Sequence, residues 1–229
     1  MNLSKRAAMM LVLGLAVTGG LWAQRGGGGM MGGMPSLPGL ANPTVGSGSE
    51  YLVTSKGKEM DVTTVALGKE DVDGASGFWM ETRMTSPDGS GEMVMKMLTV
   101  ATGPQPGVKR MIMQRPGQPP MEMPTMMMSM MQQHQPHPTT PGAGGGGDKG
   151  ELVGTESVTV PAGTFNCQHY HKQEQHGPVD VWVSTDVTPY AMVKMTSSET
   201  TMVLKKTLTN ETSHIKGEPQ KFQMPQMPN

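Results

Sequence analysis

Residues 77–101 read GFWMETRMTSPDGSGEMVMKMLTVA, and the alternation within them decides the fold class. Met80 and Met84 fall on one side of the first run, and Met93, Met95 and Met97 on one side of the second. A period of two belongs to an extended strand, whose successive side chains face opposite ways. Between the runs, TSPDGSGE places proline, aspartate and glycine where a hairpin turn needs them.

The same pattern continues in both directions. EYLVTSK, EMDVTTVAL and GVKRMIMQ alternate within residues 49–114, punctuated by Lys56-Gly57, Asp73-Gly74 and Gly103-Pro104. ELVGTESVTV, TFNCQHYHK, PVDVWVST, AMVKMTSS and TTMVLKKTLT do so after residue 150. About ten short strands without a helical period predict a mainly β protein, a curved antiparallel sheet or half-barrel with little helix. Residues 24–48 form a Gly/Pro/Met-rich leader expected to be disordered, and 223–229 a disordered tail. Residues 49–222 are expected to form one β-rich domain, interrupted by a Met/Pro/Gly-rich insert at 115–150.

The first residues carry Lys5 and Arg6, an apolar run from Ala7 to Val17, and the small residue Ala23. This is the pattern of a secretory signal peptide cleaved near Ala23, which predicts a periplasmic or secreted protein. No other stretch approaches the roughly 18 apolar residues of a membrane span, so no stable membrane insertion is expected after cleavage. Removing Lys5 and Arg6 leaves 16 basic residues against 19 acidic ones, with no basic cluster. Nucleic acid and anionic membrane surfaces both need a positive footprint and are poor candidate partners. Cys167 is the only cysteine, so the fold has no internal disulfide.

Methionine is the unusual residue: 26 in the whole chain, against 4% aromatic content. Adjacent antiparallel strands would set Met80, Met84, Met93, Met95, Met97, Met111 and Met113 side by side. Such a face is soft and adaptable, and is either a core built from methionine or a surface for an apolar ligand such as an acyl chain. In the insert, MEMPTMMMSMMQQHQPHP (residues 121–138) would, as a helix opened by Pro124, bring Met126, Met130 and His134 onto one face. Met127 and Met131 would lie beside them. Three readings stand: a lid touching the sheet through Met127 and Met131, a copper site of Met126, Met130, His134 and His137, or disorder. Thioethers and imidazoles suit Cu(I).

Alternation also places Cys167, His169 and His171 of VPAGTFNCQHYH on one side of a strand. They are either a metal-ligand set or a buried cysteine followed by two histidines at the rim. There is no GxSxG, HExxH, CxxC or phosphate loop, and Glu151, Glu156, Asp180 and Asp186 are scattered over turns and strand edges. No catalytic residue is predicted, and the expectation is a protein that is not an enzyme.

The stretches GTESVTVPAGTFNCQHYHKQ, VDVWVSTDVTPYAMVKMTS and TTMVLKKTLTNETSHIKGEP resemble a group of exported bacterial domains of unknown function sharing a VPAGTF, cysteine and VWVS pattern. Through that group the chain is similar to the LolA and LolB lipoprotein-localisation fold, an open half-barrel that holds lipid chains. The resemblance covers residues 151–219. It implies a half-barrel with a structural role for Cys167.

These readings lead to an exported binding protein holding an apolar or lipid-like ligand, or an envelope component, on its methionine face, with no cofactor. The alternative is a soft-metal protein using copper in the insert. A third reading is a structural envelope protein with no small ligand.

Overall fold

The computed structural model describes residues 43–72, 74–85, 89, 91–100, 107–124, 150–174 and 177–221. Residues 24–42 of the leader, most of the insert and the tail lie outside them, but residues 43–48, read as the end of a disordered leader, are ordered: the Gly46 N–H donates to the Ala66 carbonyl and Gly48 begins the first strand. The chain forms β1 (Gly48–Ser55), β2 (Lys58–Val72), β3 (Ala75–Thr85), β4 (Glu92–Val100), β5 (Gly107–Gln114) and β6 (Met121–Glu122). It continues with β7 (Glu151–Val160), β8 (Gly163–Glu174), β9 (Gly177–Val183), β10 (Met192–Ser197), β11 (Thr200–Leu208) and β12 (Gln220–Lys221). Among the described residues there is no helix.

All twelve strands belong to one open, curved sheet in the order β12-β6-β5-β4-β3-β2-β1-β11-β10-β9-β8-β7. Each half of the sequence is an up-and-down meander, and the two are joined edge to edge where β1 pairs with β11. Every pairing is antiparallel except β12 with β6. The mainly β, curved antiparallel architecture read from the sequence is therefore the observed one. Its two extra strands are the shortest: β6 lies within the segment read as an insert, and β12 is its parallel neighbour.

Turn chemistry fixes the register. Lys56 and Gly57 both have positive φ (50° and 75°), the conformation of a two-residue hairpin whose twist matches the strands it joins. Ser55 and Lys58 accordingly close the β1–β2 ladder. Gly163 opens β8 at φ 134°, a left-handed value that a side chain would resist, and lets Pro161-Ala162 return the chain beside Val160. Here the second meander curls round until the Ala162 N–H donates to the Leu204 carbonyl at 3.3 Å.

That curl encloses the main core: Tyr51, Val53, Val62, Cys167, Val181, Val193 and Leu204, with their buried neighbours. Val179, Val181 and Val183 alternate into it from β9. Each such side chain contributes roughly 1.5–3 kcal/mol by leaving water. Tyr51 has its hydroxyl satisfied inside, donating to the Met192 carbonyl at 3.1 Å.

Candidate functional site

The first meander carries the methionines, and its ladder sets them in rows. Met97 is the register partner of Met80 on one side and of Met111 on the other. The Met123 N–H donates to the Met111 carbonyl at 2.9 Å, so Met123 continues this row past β6. One step along the strands, Thr82 pairs with Met95, Met95 with Met113, and Met113 with Met121. A third pair, Met84 with Met93, continues into Val62 of the main core, against which Met84 packs. The register thus brings together all seven strand methionines predicted from the sequence and adds Met121 and Met123.

The two faces of this meander are unequal in an unexpected way. Met93, Met95, Met97, Met111 and Met113 are only half-buried, and Met121 is 37% exposed. Val94, Leu98, Val100 and Ile112 alternate to the other side of the same strands and are 5% exposed or less. Among the described methionines of the predicted set, only Met80 is buried. On β4 and β5 the aliphatic side chains are therefore the buried ones, set among the half-exposed Lys96, Arg110 and Gln114 of the same face, while the thioethers of the other face keep accessible surface.

Hydroxyl side chains interrupt the methionine face. Ser49 pairs with Thr64, and Thr64 with Thr82, so these residues extend the Met95 row inward. Ser49 donates to the Thr188 carbonyl at 2.5 Å. Thr64 Oγ1 is buried without a hydrogen-bond partner. A buried hydroxyl left unpaired costs about 1–3 kcal/mol, so this atom is a standing acceptor and donor for a polar group that reaches it.

The opposite face holds a charged cluster that fastens the C-terminal segment. Arg83 Nε donates to Glu81 Oε1 at 3.2 Å and Nη2 to Glu211 Oε2 at 2.7 Å. Ser213 Oγ and the His214 N–H both donate to the Glu81 carboxylate, at 2.6 and 3.0 Å. Arg83 Nη1 meets His214 Nε2 at 2.8 Å, while His214 Nδ1 meets Glu92 Oε1 at 2.9 Å. Guanidinium is donor only, so Nε2 accepts and Nδ1 carries the proton. Sequence reasoning missed this cluster. Glu81 and Arg83, opposite charges on one side of an otherwise apolar strand, were the available signal.

On β8, the cysteine and the two histidines part company. Cys167 is fully buried, and its Sγ faces the Phe165 carbonyl at 3.6 Å. Burial, and then the charge of Glu156, push its thiol pKa up. His169 Nε2 and His171 Nδ1 instead share Asp180 Oδ1, at 2.8 and 2.9 Å. His169 also stacks on Trp182, with centroids 4.4 Å apart, and Trp182 Nε1 donates to Glu156. Lys194 Nζ covers the same indole at 4.8 Å. Burial acts to raise the Asp180 carboxyl pKa, but the hydrogen bonds from His171 and His169 outweigh it and hold the carboxyl below its usual range. Among the described residues, no group of three or more His, Cys, Asp or Glu side chains is arranged to hold a metal ion. Met126, Met127, Met130, Met131, His134 and His137 lie outside the described residues.

Neither a family model nor a curated protein matches the chain. Solved structures similar to it include two bacterial proteins. One is described as a "putative lipoprotein" from Parabacteroides distasonis ATCC 8503, at 12% identity over 75% of this chain and 99% of that one, with a TM-score of 0.37. The other is a "putative exported protein with YmcC-like fold" from Bacteroides fragilis NCTC 9343, at 13% identity over 75% of this chain and 97% of that one, with a TM-score of 0.33. At that degree of superposition the likeness carries no ligand, activity or address over to this chain.

Proposed function

We propose that the protein is an exported, non-enzymatic binding protein that holds an apolar or lipid-like ligand on its methionine face. The observation behind this reading is the inversion of the two faces: Leu98 and Ile112 are buried while Met95, Met97, Met111 and Met113 keep accessible surface. Thioether side chains are flexible and polarizable, and a surface of them accommodates chains of varied shape. Contiguous accessible apolar surface marks a place of contact rather than a packed interior. Thr64 Oγ1 supplies a buried polar atom on the same face for a ligand headgroup or an ester carbonyl. Export rests on the signal-peptide pattern, with Lys5, Arg6, the apolar run and Ala23.

Native mass spectrometry of the protein purified from its own cell envelope tests the proposal. A co-purifying apolar mass that is lost from the M97Q/M111Q variant, with the fold retained, is the expected result. A ligand-free protein that also fails to take up fatty acid or phospholipid in vitro would sink it.

A further inference from the structure

Apolarity by itself does not explain the methionines. Strands β4 and β5 place Val94, Val100 and Ile112 on one face and Met93, Met95, Met97, Met111 and Met113 on the other. Branched aliphatics favour strands, and this chain uses them there freely, so the accessible face has gained something that a branched hydrocarbon lacks. That something is either softness or sulfur. The register favours sulfur at one place.

Met95, Met113 and Met121 are consecutive partners across β4, β5 and β6. Directly paired residues on adjacent strands stand about 4.5–5.5 Å apart at Cβ, within the reach over which two methionine side chains can meet one ion. The register thus sets three neutral thioether side chains at consecutive positions of one row, and Met121 is 37% exposed. The neighbouring row Met97, Met111 and Met123 repeats the pattern one step away. Soft thioethers select Cu(I) over harder divalent ions such as Zn²⁺.

We infer that Met95, Met113 and Met121 form a binding site for a soft monovalent cation of the Cu(I) class. This goes beyond the apolar-ligand reading and uses the sulfur atoms rather than the hydrocarbon of the same face. It is also distinct from a copper site in residues 126–137, because every ligand named here lies on the sheet.

The test is anaerobic titration of the full mature chain with Cu(I) against a competing chromogenic chelator, with Ag(I) as a redox-inert check. Leucine keeps the apolar surface and removes only the sulfur, so M113L and M95L/M113L/M121L are the informative variants. The expected result is saturable uptake by the wild type, weakened more than about 10-fold in M113L, since even outer-shell changes at metal sites cost that much. Uptake should be unchanged in M126L/M130L/H134A. Circular dichroism of each variant confirms the fold. No uptake by the wild type, or uptake that survives the triple leucine variant, would overturn the inference. Lipid capture should persist in the leucine variants, so failure of the metal site and failure of the apolar-ligand site are read separately.

Discussion

Arg83 and His214 are 131 residues apart in sequence and meet at 2.8 Å, the guanidinium donating to an imidazole nitrogen that can only accept. The contact ties the last part of the chain to the face of β3 opposite the methionines. Because Glu81 is fully buried beside Arg83, the pair cannot be halved cheaply. Removing one partner of a buried ion pair strands the other charge, at a cost of about 3–5 kcal/mol. Arg83→Met should lower stability by that order in urea denaturation. His214→Ala, at a half-exposed position, should cost about 1 kcal/mol or less. Both should speed hydrogen exchange at the His214 amide, which donates to Glu81.

This clasp also shows where sequence reading ends. The alternation of Met93, Met95 and Met97 is local, and the hairpin turn between β3 and β4 is written in adjacent residues, so strand identity and side-chain face were legible. The C-terminal segment has no period to read: Glu211, Ser213 and His214 are placed by hydrogen bonds to residues more than 120 positions earlier. Strands β6 and β12 have two residues each, too short for any alternation. At Cys167 and His169 alternation predicted a shared side of the strand, but Cys167 joins the core, against which Tyr170 also packs, while His169 meets Asp180 and Trp182.

The buried Cys167 thiol should be inert. Thiolate is the reactive form, and burial together with the Glu156 charge disfavours it at Cys167. Native protein at pH 8 should show no reaction with an aromatic disulfide reagent over minutes, and one thiol per chain after unfolding in guanidinium. Rapid labelling of the native state would contradict the buried position.

Asp180, held by His169 and His171, gives the fold a share of its acid sensitivity. Its carboxyl pKa is lower in the folded protein than the ordinary value near 4, because His171 and His169 hydrogen-bond to it. Between the two values the unfolded chain binds more protons than the folded one, so stability falls as pH falls. The contribution is fully present above about pH 4 and is lost as pH drops through the depressed folded value. In Tm measurements from pH 6 down to pH 2, Asp180→Asn should start less stable than wild type, and the difference should shrink toward the acid end.

The two faces of the first meander should differ in what they contribute to stability. Leu98 is fully buried over Gly77, where an added Cβ would stand 2.9 Å from its Cδ1, so the backbone there is already in close contact with the leucine. Leu98→Ala should therefore open a cavity and cost about 2–5 kcal/mol. Met113 is half-buried on the other face, and truncating it should leave a shallow notch that water can enter. Met113→Ala should cost well below the Leu98 value, because part of its surface is already hydrated in the folded protein. Urea denaturation of both variants gives the comparison directly. Equal losses would mean that the methionine face is packed as tightly as the aliphatic one, leaving no accessible surface for either an apolar ligand or a soft cation. A large difference would mean that β4 and β5 keep their stability in Val94, Leu98 and Ile112, and leave Met95 and Met113 free to change partners.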